Sequence, residues 1–168
     1  MRGPLIVTAE LGREDFAWLE TLRRTHYPAD RNQVPAHLTL FRSLPPSAES
    51  EVRQILRSEA ERPPPRAWIA GAVDMGGAVA FRVASDELDR LRSDLSERLH
   101  GLLSAQDGPG WSPHVTIQNK VEPRIAKALA RSLERHRAGE PLKVSGVGLY
   151  RYLGSPWEML QLYPFRCR

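Results

Sequence analysis

Apolar residues along the chain recur at two spacings, and these spacings predict strands and helices in alternation. Spacing by two, or short runs rich in β-branched and aromatic residues, predicts strands at Leu5–Leu11, His37–Phe41, Ala67–Val73, Ala78–Val83, His114–Lys120, Leu142–Leu153 and Trp157–Tyr163. Spacing by three and four predicts helices with apolar stripes at Phe16, Leu19 and Leu22; at Val52, Ile55, Leu56 and Ala60; at Leu88, Leu91, Leu95, Leu99 and Leu102; and at Ile125, Leu129 and Leu133.

Small and polar residues mark where these elements turn or begin. Gly76-Gly77 separates two predicted strands and predicts a hairpin between them. Gly146 and Gly148 interrupt a long predicted strand, which indicates a bulge. A helix is predicted to begin after Ser85, and another near Pro123.

The order strand, helix, strand, helix, strand occurs twice, and the copies align at an offset of 114 − 37 = 77 residues. At this offset HLTL at 37–40 falls on HVTI at 114–117, and Pro46 falls on Pro123. The repeat predicts a single domain over residues 1–168, built from pseudo-twofold lobes at 5–74 and 77–153 and a closing strand at 156–163. Two such lobes facing each other would bring the HLTL and HVTI strands to one central cleft.

Each copy carries a histidine and a threonine two residues apart. Because side chains of a strand alternate between its faces, His37 and Thr39 share one face, and the leucines beside them face the core. The same alternation groups His114 with Thr116. Two imidazoles in one cleft can act as general base and general acid near neutral pH, and hydroxyls can bind phosphate oxygens. The set suits phosphodiester chemistry without a metal ion.

The charge and the composition limit the kinds of partner that suit the protein, but they do not identify one. The 168 residues carry a formal net charge of +4, which suits an anionic partner, although the arginines are spread along the chain as in many soluble proteins. The single cysteine, Cys167, excludes an internal disulfide and lies too near the C-terminus to be favoured as a nucleophile. No signal peptide, membrane-spanning segment or metal-binding motif is recognised. We expect the protein to be cytoplasmic, to bind no membrane and to need no metal ion.

On HLTL and HVTI, the sequence resembles the two-histidine (2H) phosphoesterases, and among them the 2′-5′ RNA ligases and RNA 2′,3′-cyclic phosphodiesterases. The resemblance covers nearly the whole chain. It implies a bilobal, pseudo-twofold α+β fold in which each lobe is an antiparallel sheet flanked by helices, with a central cleft between the lobes. It implies no cofactor. It also implies hydrolysis of nucleoside or RNA 2′,3′-cyclic phosphates to 2′-phosphates. Some members also join tRNA halves reversibly through a 2′-5′ bond.

The resemblance carries roles onto four residues. His37 and His114 match the catalytic pair, and Thr39 and Thr116 match the pair that contacts phosphate. The usual family mechanism has His114 activate water and His37 protonate the leaving 3′ oxygen. The two motifs are equivalent by symmetry, so the sequence itself leaves that order open.

The residues that follow each motif depart from the family pattern. Well-studied bacterial members have an arginine five residues after the second histidine, where this chain has Asn119 and then Lys120; the equivalent residue after the first motif is Arg42. In a regular strand an odd offset from the histidine turns Arg42 and Asn119 away from the cleft, whereas a bulge or strand end would turn them inward. Lys120 keeps the parity of His114 and is either a phosphate contact or a solvated lysine.

The C-terminal hairpin supplies further candidates. Arg151 falls near the cleft by repeat symmetry and is a candidate phosphate contact. Tyr150 or Tyr152 is a candidate for stacking on a base, as is Trp157, although aromatic residues of a terminal hairpin more often lie in the core. The remaining histidines lack a threonine partner and are interpreted as surface or capping residues: His26, His100 and His136.

The sequence therefore predicts a monomeric, metal-independent 2′,3′-cyclic phosphodiesterase whose partner is RNA or a nucleotide ending in a 2′,3′-cyclic phosphate. Reversible 2′-5′ RNA ligation is a further activity open to it. Two alternatives remain open. One is a module of the same fold that binds RNA or nucleotide phosphates without turnover. The other is a phosphodiesterase for another small phosphate ester.

Overall fold

A computed structural model describes residues 2–166, so Cys167 lies outside the described residues. The strands are β1 (Leu5–Leu11), β2 (Leu38–Leu44), β3 (Arg66–Asp74), β4 (Val79–Ala84), β5 (His114–Gln118), β6 (Pro141–Tyr152) and β7 (Trp157–Pro164). The helices are α1 (Arg13–His26), α2 (Glu49–Glu59), α3 (Asp86–Arg98) and α4 (Pro123–Ser132), with short 3₁₀ turns at Pro46–Ala48 and Ala105–Asp107. The predicted α+β class is confirmed.

All seven strands belong to one antiparallel sheet in the order β2-β1-β6-β3-β4-β5, and β7 pairs with β6 outside this path. The long strand β6 joins the two halves. Its first residues, Pro141–Lys143, pair with β3, and its remainder lies between β1 and β7. Strands β2 and β5 lie at opposite ends of the strand order. They nevertheless contact each other, because the sheet curls.

The two copies of the repeat exchange their last strands. Strands β1 and β2 of the first copy are completed by β6 of the second, and β4 and β5 of the second are completed by β3 of the first. Where the halves meet, Arg66 pairs with Lys143, and 66 + 77 = 143, so equivalent positions face each other across a pseudo-twofold axis. The boundary between sheet halves therefore differs from the boundary between repeats at 74–77. The short Gly76-Gly77 turn explains this, because it holds β3 beside β4.

Two of the predicted helix stripes are confirmed within their helices, although Ala60 follows the end of α2 and Leu99 and Leu102 follow the end of α3. Val52, Ile55 and Leu56 are buried in α2, and Leu88, Leu91 and Leu95 are fully buried in α3. Helix α3 begins after Ser85 as predicted, and Ser85 caps it, since its side-chain oxygen accepts a hydrogen bond from the backbone N–H of Leu88 at 2.9 Å. Within residues 2–166, no helix is long and apolar enough to cross a membrane.

The other two stripes are partly wrong. Phe16 of α1 is 37% exposed and Ile125 of α4 is 44% exposed. Helix α4 buries Ala126 and Ala130 instead, because alanines let it approach β3 and β4 closely. Helix α1 buries a charged residue, Arg23, beside Leu19.

The predicted bulge in β6 is confirmed. Leu11 pairs with Val144 and Glu10 pairs with Gly146, which leaves Ser145 as an extra residue. A Cβ atom at Gly146 would lie 2.6 Å from the carbonyl oxygen of Tyr163, so the close approach of β7 requires glycine here.

Candidate active site

A cavity of about 350 Å³ lies where β2 and β5 approach each other, and it is lined by both histidine–threonine pairs. His37 lies directly before β2 and Thr39 lies within it, while His114 and Thr116 lie in β5. The apolar residues between and beside them are buried, as strand alternation requires: Leu38, Leu40, Val115 and Ile117. The structure thus brings together two histidine–threonine pairs that lie 77 residues apart in the sequence.

Each imidazole is oriented by a backbone carbonyl two residues before it. Nδ1 of His37 lies 2.8 Å from the carbonyl oxygen of Pro35, and Nδ1 of His114 lies 2.9 Å from that of Ser112. A carbonyl oxygen can only accept, so each Nδ1 carries the hydrogen and donates it. In the neutral imidazole, Nε2 then carries the free lone pair. The two histidines are therefore equivalent in tautomer as well as in position.

The imidazole of His37 is half-buried, and one part of it lines the cavity. Its ring lies 4.6 Å from the ring of Trp157, centre to centre, and the surrounding protein displaces water. This burial lowers the pKa of His37 from 6.5 to about 4, and the positive charges of Arg23 and Arg42 also act to lower it, against the opposing hydrogen bond to Pro35. At neutral pH, His37 is therefore uncharged.

Bulges at equivalent positions turn two flanking side chains into the cavity. Val7 pairs with Phe41 and Thr8 with Thr39, so Leu40 is an extra residue in β2. Strand β5 repeats this, because Val79 pairs with Gln118 and Ala80 with Thr116, which leaves Ile117 extra. After each bulge the parity of the strand is reversed.

The expectation from a regular strand, that Arg42 and Asn119 point away, is therefore wrong. Both line the cavity. Leu40 and Phe41 are buried in succession, as are Ile117 and Gln118, which shows the change of face directly.

Lys120 does not line this cavity, and the parity argument for it fails. Strand β5 ends at Gln118, and Lys120 has a left-handed backbone with φ of 63°. Its exposed side chain lines a shallow neighbouring depression together with Tyr27 and Tyr152.

Arg151 and Tyr150 also lie outside this cavity. Arg151 is buried, with its guanidinium paired to the carboxylate of Glu49 and within 3.4 Å of the carbonyl oxygen of Gly3. Tyr150 donates its hydroxyl hydrogen to Glu10 at 2.9 Å and faces a second cavity. Of the C-terminal candidates, Tyr152 and Trp157 line the cavity that holds the histidines.

His26, His100 and His136 are likewise absent from its lining. Across residues 2–166 there is no group of three or more histidine, cysteine, aspartate or glutamate side chains close enough together to hold a metal ion.

Comparison of the sequence with known protein families agrees with a site built from both histidine–threonine pairs. A profile of the 2′-5′ RNA ligase superfamily matches residues 12–156, which include both histidine–threonine motifs. The chain belongs to the 2′-5′ RNA ligase superfamily. No curated protein matches it.

Solved structures of similar fold extend over the whole chain. LigT of E. coli in its apo form has a TM-score of 0.69 and 16% identity, covering 99% of both chains. LigT complexed with 3′-AMP has a TM-score of 0.68 and 16% identity, covering 99% of this chain and 100% of LigT. TT0787 of Thermus thermophilus has a TM-score of 0.66 and 20% identity, covering 99% of this chain and 98% of TT0787. At these identities the likeness shows a shared fold.

Sequence reasoning missed one charged residue of this 2′-5′ RNA ligase superfamily member, Arg23 of α1. It lines the cavity although only 4% of the residue is exposed. Its guanidinium donates to the carbonyl oxygen of Thr116 at 2.9 Å and to the side-chain oxygen of Asn32 at 2.9 Å, and it lies over the ring of Tyr27. The available signal was its place four residues after Leu19, on the buried side of the helix.

The loop before His114 closes one side of the cavity and was also missed. Trp111 donates its indole N–H to the carbonyl oxygen of Thr39 at 3.0 Å. The buried carboxylate of Asp107 accepts hydrogen bonds from the backbone N–H groups of Arg42 and Ser43 at 2.6 and 2.9 Å. These contacts fix the loop to β2 just after its bulge, so the position of Arg42 is set by the loop as well as by the strand.

Proposed function

We propose that this protein hydrolyses nucleoside or RNA 2′,3′-cyclic phosphates to 2′-phosphates. The observation that carries the proposal is the meeting of both histidine–threonine pairs in one cavity. Membership in the 2′-5′ RNA ligase superfamily supports phosphoester chemistry on RNA. The complex of LigT with 3′-AMP supports nucleotide binding by this fold.

The proposed reaction needs one proton acceptor and one proton donor. A water oxygen bonds to phosphorus while the bond from phosphorus to the 3′ oxygen breaks. Nε2 of the histidine beside the water takes the proton that the water loses, and Nε2 of the other histidine gives a proton to the leaving 3′ oxygen. The phosphate remains on the 2′ oxygen. No metal ion or cofactor takes part.

The remaining polar groups bind the phosphate. The hydroxyls of Thr39 and Thr116 donate to its non-bridging oxygens, where negative charge grows as water attacks. Arg23 supplies a fixed positive charge beside Thr116, and Arg42 supplies a second from the opposite strand. A buried arginine that is already held by hydrogen bonds loses little freedom on binding, so it is well suited to this role.

A panel of substrates tests the proposal. The protein is incubated with the 2′,3′-cyclic phosphates of adenosine, guanosine, cytidine and uridine, and the product is identified as the 2′ or 3′ monoester. We expect 2′-monoesters, at a rate unchanged by EDTA. Saturable binding without product would favour the binding module instead. Turnover confined to other small cyclic phosphates would favour the alternative in which the protein is a phosphodiesterase for another small phosphate ester.

The same site fits RNA ligation, because a 5′-hydroxyl in place of water gives a 2′-5′ phosphodiester by the same bond changes. A depression of about 280 Å³ that includes His114 adjoins the cavity and carries Arg42 and Arg82, whose charges suit a second RNA strand. Joining of an RNA that ends in 2′,3′-cyclic phosphate to one that begins with a 5′-hydroxyl tests this. Arg82→Ala should reduce joining more than hydrolysis, and equal loss of both would argue against this use of the depression.

A further inference from the structure

A second cavity, of about 500 Å³, adjoins the first at His37 and Trp157. These two side chains line both cavities, so a nucleotide whose phosphate lies between the histidines can extend into the second cavity. We call it the Glu10 cavity, after the carboxylate that lines it. Its volume exceeds what one nucleobase needs.

The walls of the Glu10 cavity suit a flat aromatic ring. Trp157 and Tyr150 approach each other at 5.9 Å between ring centres, and the apolar side chains of Leu11, Phe16 and Val34 line the cavity with them. This accounts for the exposure of Phe16, which the helical pattern placed in the core. Base-on-aromatic contact of this kind stabilises bound nucleotides without selecting among bases.

Selectivity requires a polar group, and Glu10 is a carboxylate held in one orientation. The hydroxyl of the buried Thr8 donates to Oε2 at 2.6 Å, and the hydroxyl of Tyr150 donates to Oε1 at 2.9 Å. Burial and the charge of Glu10 both raise the pKa of Tyr150, so this hydroxyl stays protonated and keeps donating. A Cβ atom at Gly148 would lie 2.8 Å from both Thr8 Oγ1 and Glu10 Oε2, so glycine at 148 leaves room for the arrangement.

The hydrogen-bonding capacity of Glu10 is only half used. An ionised carboxylate has about four lone-pair positions, two on each oxygen. Thr8 and Tyr150 occupy one on each oxygen, which leaves one on each. Two parallel acceptors match a base with two adjacent N–H donors, and guanine has this pair at N1 and N2. Adenine and cytosine present one amino group beside an acceptor nitrogen, and uracil presents one N–H between two carbonyls.

We propose that the Glu10 cavity binds the guanine base of the nucleotide whose phosphate lies between His37 and His114. Glu10 accepts from N1–H and the N2 amino group, and Trp157 contacts the face of the ring. The inference rests on the proposed function for the position of the phosphate. It adds a preference for a guanosine 2′,3′-cyclic phosphate end.

Two measurements on the whole protein test this proposal. In the first, kcat/KM is compared for the four nucleoside 2′,3′-cyclic phosphates. We expect guanosine to exceed each of the others by about tenfold or more, as for other bidentate contacts to a base. In the second, binding of guanosine and adenosine 2′-monophosphates is measured by calorimetry, which needs no turnover, and the same order is expected.

Glu10→Gln should remove the preference, because its amide places an N–H donor against the donors of guanine. Glu14→Gln is the matched control: it removes the same charge from an exposed position on α1 outside the cavity, and it should keep the preference. If Glu10→Gln does not fold, the order of kcat/KM among the four nucleoside 2′,3′-cyclic phosphates in the unchanged protein still tests the guanine preference.

The outcomes separate this inference from the proposed function. Turnover of all four cyclic phosphates with equal kcat/KM would overturn the guanine site and leave the phosphodiesterase in place. Absence of turnover, together with guanosine-selective binding that Glu10→Gln abolishes, would support the site and overturn the phosphodiesterase.

Discussion

His37 and Trp157 form the contact on which the pH dependence of activity should depend most. Because burial lowers the pKa of His37 to about 4, we expect kcat/KM to stay high as the pH falls past 6.5 and to drop only as it passes about 4. This follows if His37 is the general base, because protonation of His37 below that pH removes the proton acceptor. A kcat/KM profile from about pH 3.5 to about pH 9 checks this.

The control for this profile is Trp157→Ala, which lets water reach the imidazole of His37. Loss of desolvation should move the acid side of the profile up towards 6.5, the ordinary pKa of histidine. An acid side that already lies near 6.5 in the unchanged protein would contradict the lowered pKa of His37.

Individual site residues differed in how well the sequence predicted them. Alternation over three residues sufficed to place His37 with Thr39, because it needs only a locally regular strand. Arg42 and Asn119 could not be placed, since their direction depends on a bulge formed against β1 or β4. Arg151 was assigned by repeat symmetry alone, which says nothing of Glu49, the partner that occupies it.

At the scale of elements, the two bulged strands are each held by a buried arginine from a helix of the other copy. Arg23 of α1 donates to the carbonyl oxygen of Thr116 in β5, and Arg92 of α3 donates to that of Leu40 in β2 at 2.8 Å. Arg92 also lies over the ring of Phe41. Of the two, only Arg23 lines the cavity with the histidines.

This difference makes Arg23→Met and Arg92→Met a matched pair. Each should lower the free energy of unfolding by about 1–3 kcal/mol, because each leaves a strand carbonyl without its charged donor. Arg23→Met alone should also raise KM by about tenfold or more, because it removes a positive charge from beside the phosphate. Denaturant unfolding and steady-state kinetics on both variants check this, and a KM equally raised in both would mean that Arg23 acts only through strand position.

Elements were predicted best where their pattern is local. The stripe of α3 repeats leucine at helical spacing and was confirmed. The stripe of α4 was predicted around Ile125, but packing against β3 and β4 favoured the smaller Ala126 and Ala130. The choice between a large and a small side chain depends on the distance to the neighbouring element, which the sequence of one helix does not contain.

At the scale of the whole molecule, the exchange of β3 and β6 makes the two copies of the repeat dependent on each other. Residues 1–76 alone would lack β6, the partner of β1, and β4, the partner of β3. We expect neither 1–76 nor 77–168 to show a cooperative thermal transition by circular dichroism, and co-expression to restore one. Cooperative unfolding of the isolated 1–76 fragment would contradict this account of the fold.

The duplication itself was visible in the sequence, because the same motifs recur at a constant offset of 77 residues. The exchange of β3 and β6 was not visible in the sequence, because an offset between motifs does not say which strands pair. A two-residue glycine turn between β3 and β4 was the one local signal for it.

The central claim is that His37 and His114 act together on one phosphate. It is tested most directly by the single-turnover rate of 2′,3′-cyclic nucleotide hydrolysis in His37→Ala and in His114→Ala, with the exposed His100→Ala as control. Each of the two site variants should lose at least about 100-fold in rate while keeping the unfolding temperature of the unchanged protein, and His100→Ala should match the unchanged protein. A wild-type rate in either site variant would contradict the claim.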